Sequence, residues 1–95
     1  MTGYVIAEVE VTDPAAFDEY RQKVPATIAQ HGGRYLVRGG AIDGKEGDWQ
    51  PKRLVVLEFP SADQAKRWYA SPEYAPLLAL RLRAAKSKVI IVDGI

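Results

Sequence analysis

The chain contains no cysteine and a single histidine, and these two shortages remove several kinds of chemistry. Without cysteine there is no disulfide, no thiolate metal site and no cysteine nucleophile, which fits a reducing compartment. One histidine with scattered carboxylates forms no recognisable ligand set, so we expect no metal site. The net charge is only +1, which gives no strong attraction to nucleic acid or to acidic membranes.

Long hydrophobic runs are missing too. The first residues, MTGYVIAEVE, have no basic segment before an apolar one, so we expect neither a signal peptide nor a membrane span. The length of 95 residues and the apolar share of 47% are ordinary for one domain over residues 1–95. The sequence therefore predicts a soluble, cytoplasmic protein that binds neither nucleic acid nor membrane.

Hydrophobic periodicity predicts strands and helices in the order βαββαβ. The strand segments are rich in β-branched residues and lie at 4–11, 34–38, 53–59 and 88–93. Two βαβ units of this length indicate a ferredoxin-like α+β sandwich, in which helices cover one face of a four-stranded antiparallel sheet.

Capping residues and prolines set the expected helix boundaries. Gly32 ends the first helix, and Pro25 is expected to kink this helix or separate its last turn. Ser61 opens a second helix and Ser71 caps a third. The basic stretch 81–88 is interpreted as a solvated helix end.

The strands carry apolar residues on both faces, which one layer of helices cannot cover. Within 53–59, Leu54 and Val56 lie on one face, whereas Val55 and Leu57 lie on the other. Large exposed apolar patches are uncommon on soluble monomers. We therefore predict a homodimer through the sheet face, and the alternative is a monomer with an apolar open face.

Three stretches of the chain come in a characteristic order and spacing: HGGRYLVRGG, EGDWQPKR and EFPSADQAKRWYASPEY. Over nearly its whole length the chain closely resembles the domain of unknown function 1330 family. The resemblance implies a dimeric α+β barrel, in which two ferredoxin-like chains pack sheet against sheet. The wider superfamily includes cofactor-free monooxygenases, isomerases and haem proteins, whose ligands usually lie between the sheet and the helices of one chain. The resemblance implies that location by analogy and implies no reaction.

The glycine pairs of HGGRYLVRGG, at 31–40, form neither a Walker loop nor a dinucleotide fingerprint, because they flank a strand and no GK[ST] follows. His31 lies on the core-facing stripe at the end of the first helix. It is therefore a candidate general base or ligand donor near neutral pH. The alternative is that it binds the last carbonyls of its own helix.

Arg38 and Arg53 flank the long loop 41–51 from neighbouring strands, which brings them close together. They are candidates for binding a carboxylate or phosphate group of a ligand. The alternative is an ion pair with a loop carboxylate such as Glu46, which would fix the loop to the sheet or to the partner copy. Trp49 is expected to anchor the loop on its own sheet or the partner's, or to cover a pocket.

Four aromatic residues are candidates for lining a cleft around a flat ligand, with core packing as the alternative: Tyr20, Trp68, Tyr69 and Tyr74. Two functions follow. The first is an enzyme, monooxygenase- or isomerase-like, or a binding protein for a small, flat, anionic organic molecule, with no cofactor. The second is a non-catalytic dimeric module that contacts a protein partner through the 41–51 loop.

Overall fold

The chain folds as an antiparallel sheet covered on one face by three helices, in a computed structural model that describes residues 1–95. The elements are β1 (Gly3–Val11), α1 (Pro14–Gln30), β2 (Arg34–Arg38), β3 (Leu54–Phe59), α2 (Ala62–Tyr69), α3 (Ala75–Ala84) and β4 (Ala85–Asp93). The sheet order is β2-β3-β1-β4, and every neighbouring pair is antiparallel. The predicted ferredoxin-like α+β fold is confirmed, with two helices in its second crossover.

Ser61 and Gly32 act at the helix ends where the sequence places them, whereas Ser71 is not the cap of α3, whose N-cap is Tyr74 without a side-chain hydrogen bond. Ser61 Oγ accepts a hydrogen bond from the Gln64 backbone at 3.1 Å, which begins α2. Ser71 Oγ accepts from the Tyr74 backbone at 3.2 Å in the turn that leads into α3. Gly32 follows α1 with φ of +77°, a conformation that glycine adopts without strain.

Pro25 does not split α1, so the prediction of a separate last turn is wrong: the helix is continuous from Pro14 to Gln30. Proline has no N–H, so the carbonyl of Arg21, four residues earlier, lacks its donor within the helix. Arg38 Nη2 donates to this carbonyl oxygen at 2.7 Å. A side chain from β2 thus satisfies the group that the proline leaves free.

The stretch 81–88 is not a solvated helix end, so this prediction is also wrong. α3 ends at Ala84 and β4 begins at Ala85, which leaves no exposed segment between them. Arg81 is only 5% exposed, and both alanines are buried. Arg81 lies four residues after Leu77 and three before Ala84, so it shares their buried face of the helix.

The core lies between the helices and one face of the sheet. Val5 and Phe59 of the sheet pack in one buried cluster with Trp68 and Tyr74. The ring centroids of Phe59 and Trp68 are 5.6 Å apart, and those of Trp68 and Tyr74 are 4.3 Å apart. The turn between α2 and α3 therefore places a group of aromatic rings over the sheet.

The opposite face of the sheet carries a row of apolar residues across all four strands, which we call the open-face row. It consists of Val37 of β2, Val56 of β3, Ile6 of β1 and Ile90 of β4, which are neighbours in the strand register. The Ile90 side chain is 57% exposed. The helices pack on the other face, so the chain itself does not cover this row.

Candidate functional site

A cavity lies between the core face of the sheet and the three helices. The centre of a water-sized sphere can occupy about 50 Å³ in it, several times the roughly 10–15 Å³ that one water molecule needs. The wall is formed by 18 residues, of which 14 are hydrophobic. The other four are all arginines: Arg21, Arg38, Arg53 and Arg81. No carboxylate lines the cavity.

Three of these arginines have no acidic partner in the chain. Arg21 forms an ion pair with Asp18 at 2.7 Å on the surface of α1. Arg38, Arg53 and Arg81 take part in none of the four ion pairs of the structure. Because no negative charge offsets them, these guanidinium groups give the cavity a positive potential that favours anions.

The exposed part of the wall, formed by Arg21 and Arg38, is called the mouth here. The Arg38 guanidinium carbon lies 4.6 Å from the ring centroid of Tyr35, in a cation–π arrangement. Arg53 is half-buried near Arg38, and its Nε is buried without a hydrogen-bond partner. The Arg53 guanidinium packs against Gly39, which has φ of +70°. A side chain on residue 39 would collide with that guanidinium.

The inner wall carries a hydrogen-bonded group that we call the Tyr–Arg cluster: Tyr20, Tyr69, Tyr74 and Arg81. The hydroxyls of Tyr20 and Tyr74 are 2.8 Å apart. Arg81 Nε donates to the Tyr74 hydroxyl at 3.3 Å, and Nη2 donates to the Tyr69 hydroxyl at 3.5 Å. Tyr74 is 1% exposed and Arg81 is 5% exposed, so these two members lie deep in the protein, whereas Tyr20 and Tyr69 are half-buried.

Burial sets the protonation of these groups. Burial raises the pKa of the Tyr20 phenol far above its usual value, and the neighbouring Tyr74 raises it further. Burial also raises the pKa of Tyr35, against the opposing charge of Arg38. For Arg81, burial lowers the pKa, but the contacts with Tyr74, Tyr20 and Tyr69 together outweigh it, so the pKa is raised. At neutral pH Tyr20 therefore presents a neutral hydroxyl and Arg81 a cationic guanidinium.

The structure brings six of the nine predicted site residues together on the cavity wall: Tyr20, Arg38, Arg53, Trp68, Tyr69 and Tyr74. His31 lies outside the wall, at the end of α1. Its Nδ1 is 2.9 Å from the carbonyl oxygen of Thr27, one turn back in the same helix. This is the contact that the structural alternative for His31 describes.

Glu46 and Trp49 are not part of the cavity. Both lie in the connection between β2 and β3, where the Trp49 side chain is 59% exposed and is not buried against its own sheet. Glu46 forms no ion pair with Arg38 or Arg53, so no such bridge fixes the loop within the chain.

Among the arginines and tyrosines of the wall, sequence reasoning missed three: Arg21, Tyr35 and Arg81. The signal for Arg81 was present, because its spacing from Leu77 and Tyr74 places all three on one face of a helix. The signal for Tyr35 was its position in β2, where alternation with Arg34 turns it toward the core face.

The fold shows neither a cluster of metal-binding side chains nor a helix that could span a membrane. No three residues of the types that bind metal ions through oxygen, nitrogen or sulfur come together in the fold. No helix combines the length and the apolar composition required to cross a bilayer.

Several solved structures share this fold. RPA0582, a protein of unknown function from Rhodopseudomonas palustris, has a TM-score of 0.75 and 16% identity, over 99% of this chain and 82% of that chain. A dimeric ferredoxin-like protein of unknown function from Jannaschia sp. CCS1 has a TM-score of 0.71 and 12% identity, over 99% and 100% of the two chains. SnoaB, a cofactor-independent oxygenase from Streptomyces nogalater, has a TM-score of 0.67 and 17% identity, over 99% and 92%.

The TM-scores establish the fold, and at 12–17% identity they show nothing about the chemistry of the cavity. No curated protein matches the sequence at a significant level. Residues 2–95 match the family described as Domain of unknown function (DUF1330), and the chain belongs to this family.

Proposed function

We propose that the cavity binds a small, flat, anionic organic molecule, and that the chain transforms it without a tightly held cofactor. One observation carries this proposal: three arginines without an acidic partner share the wall with aromatic side chains. Guanidinium groups attract and orient carboxylate or phosphate groups, while the rings supply flat apolar contacts. The site residues in this proposal are Arg38, Arg53, Tyr20, Trp68, Tyr69 and Tyr74, with His31 at the end of α1 as a candidate acid or base.

The reaction class that suits this wall is one in which negative charge develops on the bound molecule. Cationic and hydrogen-bond-donating groups in a buried site stabilise such charge without reorganising. Removal of a proton from an acidic organic molecule develops negative charge, and this step can begin an oxygenation or an isomerisation. The similarity of the fold to SnoaB, described as a cofactor-independent oxygenase, supports an oxygenase-like or isomerase-like activity.

The proposal includes a homodimer in the cytoplasm, packed through the open-face row. Four apolar side chains in register across the sheet form a continuous surface that water would otherwise contact. A second copy offers the same surface, so a two-fold contact is self-complementary. The Jannaschia protein of similar fold is described as dimeric, which supports this arrangement.

The first test is native mass spectrometry of the protein as purified from cells, followed by calorimetric titration with benzoate and benzamide. The two probes share a ring and differ in charge, so their affinity ratio measures the preference for an anion. We expect a dimer that binds benzoate at least about tenfold more tightly than benzamide, because a charge-assisted hydrogen bond contributes about 1.5–3 kcal/mol. Equal affinity for the two probes, with no acidic molecule retained, would contradict the proposal.

A second candidate function is favoured by Trp49. Its exposed indole stands in an exposed loop, and aromatic residues of this kind often anchor protein contacts. In this proposal the chain is a non-catalytic dimeric module, and Glu46 and Trp49 contact a protein partner or the other copy. Trp49→Ala should then remove a co-purifying protein while the dimer remains, whereas Gln50→Ala should retain both. Identical co-purification by both variants would rule the module out.

A further inference from the structure

The Tyr–Arg cluster has more hydrogen-bond donors than acceptors. Arg81 supplies five N–H donors and no acceptor, and the three tyrosines supply three O–H donors. The only acceptors in the cluster are the three phenolic oxygens. No carboxylate lines the cavity, so no acidic side chain accepts from the cluster.

The bond pattern shows which donors remain. Tyr20 and Tyr74 share one hydrogen bond of 2.8 Å, so only one of their two hydroxyl protons is used between them. Arg81 uses Nε and Nη2 on the two tyrosine hydroxyls, and its Nη1 makes no hydrogen bond in the chain. The end of the guanidinium formed by Nη1 and the second proton of Nη2 is therefore free.

Arg81 is only 5% exposed, so its charge lies largely out of water with no anion beside it, which is unfavourable. Its Nη1 is not among the buried atoms that lack a hydrogen-bond partner, so the free end of the guanidinium faces the cavity that Arg81 lines. A structural role would be met by an acidic side chain opposite Arg81, and this chain places none there. The arrangement instead leaves room beside Arg81 for an acceptor that comes from outside.

We propose that the Tyr–Arg cluster is the carboxylate subsite of the cavity, and that the ligand is a small aromatic carboxylic acid. Its carboxylate accepts from Arg81 and from the free hydroxyl of the Tyr20–Tyr74 pair, with its ring beside Trp68. A carboxylate fits this edge because two adjacent guanidinium protons match its two oxygens. This inference rests on the proposed function and adds to it the ligand class and its orientation, with the acid group at the inner wall instead of at the mouth.

The test is the same pair of probes, benzoate and benzamide, titrated calorimetrically into six variants of the full chain. We expect Arg81→Gln to weaken benzoate binding at least tenfold and to leave benzamide binding within about twofold. Tyr20→Phe keeps the ring and removes one hydroxyl, so we expect it to weaken benzoate binding about threefold or more. Arg83→Gln is the matched control, because Arg83 lies on the same helix but is exposed. It should change neither affinity.

Arg81→Lys and Tyr20→Phe keep the test decisive should Arg81→Gln fail to fold. Arg81→Lys keeps the charge and loses the fork, so benzoate binding should fall less than in Arg81→Gln and more than in Arg83→Gln. The subsite is overturned if the preference for benzoate is unchanged in Arg81→Lys and Tyr20→Phe but is lost in Arg38→Gln or Arg53→Gln. That result would leave the proposed function intact. Equal binding of both probes by the unmodified protein would overturn both.

Discussion

Arg38 Nη2 donates to the backbone carbonyl oxygen of Arg21 at 2.7 Å, beside the mouth of the cavity. The carbonyl is free because Pro25, one turn further along α1, has no N–H to donate. The same guanidinium lies over the ring of Tyr35. A proline inside a helix therefore fixes the position of a charged group on the neighbouring strand, and the two features should be energetically coupled.

The first prediction concerns that coupling. In the unmodified protein, Arg38→Gln should lower the free energy of unfolding by about 1 kcal/mol, because the carbonyl loses a charged donor at an exposed site. In a Pro25→Ala background the new N–H of residue 25 takes over that carbonyl, so Arg38→Gln should cost less. Urea denaturation of the four proteins gives the coupling free energy. Equal costs in both backgrounds would contradict the assignment, and Arg67→Gln on α2 is the control substitution.

The second prediction concerns the glycine beside Arg53. Gly39→Ala should lower the free energy of unfolding by about 1–2 kcal/mol, because φ of +70° disfavours a side chain. The new methyl group would also displace the Arg53 guanidinium. Gly40→Ala is the matched control, since an added side-chain carbon there meets nothing within 4 Å and its φ is not positive. Similar unfolding midpoints for the two variants would show that the close contact between Gly39 and the Arg53 guanidinium does not affect stability.

Local chemistry made much of the fold predictable. Ser61 and Gly32 act at the helix ends where their capping chemistry places them. The errors over Pro25 and over 81–88 have a common cause, because each depends on a contact distant in sequence. Pro25 stays within a continuous helix since a strand residue satisfies the free carbonyl. The stretch 81–88 looks solvated by charge alone, yet tertiary packing buries Arg81.

The candidate site was predictable in its aromatic and mouth residues and not in its inner wall. Trp68 and Tyr74 follow from their clustering at a helix break, and Arg38 follows from its place beside a long loop. Arg81 was missed because its bonds to tyrosine hydroxyls, from seven and twelve residues away, give no sequence motif. Only the helical spacing from Tyr74 carried a signal, and neighbouring charges obscured it.

The third prediction follows from the raised pKa of Tyr20. A folded-state pKa above the unfolded value means that the folded protein holds this proton more tightly. The resulting stability is fully present below the ordinary phenol pKa of about 10 and is lost as the pH rises above it. The free energy of unfolding should therefore fall between about pH 10 and 12, by up to about 1.4 kcal/mol per pH unit for this group. Tyr20→Phe should show a smaller slope in urea denaturation at these pH values. If the free energy of unfolding of Tyr20→Phe falls with pH as steeply as that of the unmodified protein, Tyr20 does not cause the loss of stability.

The last prediction tests which face of the sheet holds the second copy. Ile90→Lys places a charge in the open-face row of both copies, where the Ile90 side chain is 57% exposed in the isolated chain. Losing two apolar contacts of this size should weaken the dimer by about 3 kcal/mol or more, roughly a hundredfold in its dissociation constant.

Leu82→Lys is the control, because Leu82 is 65% exposed on α3, a helix that packs on the other face of the sheet. Light scattering during size-exclusion chromatography, repeated over a range of protein concentrations, should find Leu82→Lys dimeric like the unmodified protein and Ile90→Lys dissociating on dilution. If Ile90→Lys stays as dimeric as the control, the copies associate through another surface, and a monomeric unmodified protein would remove the dimer altogether.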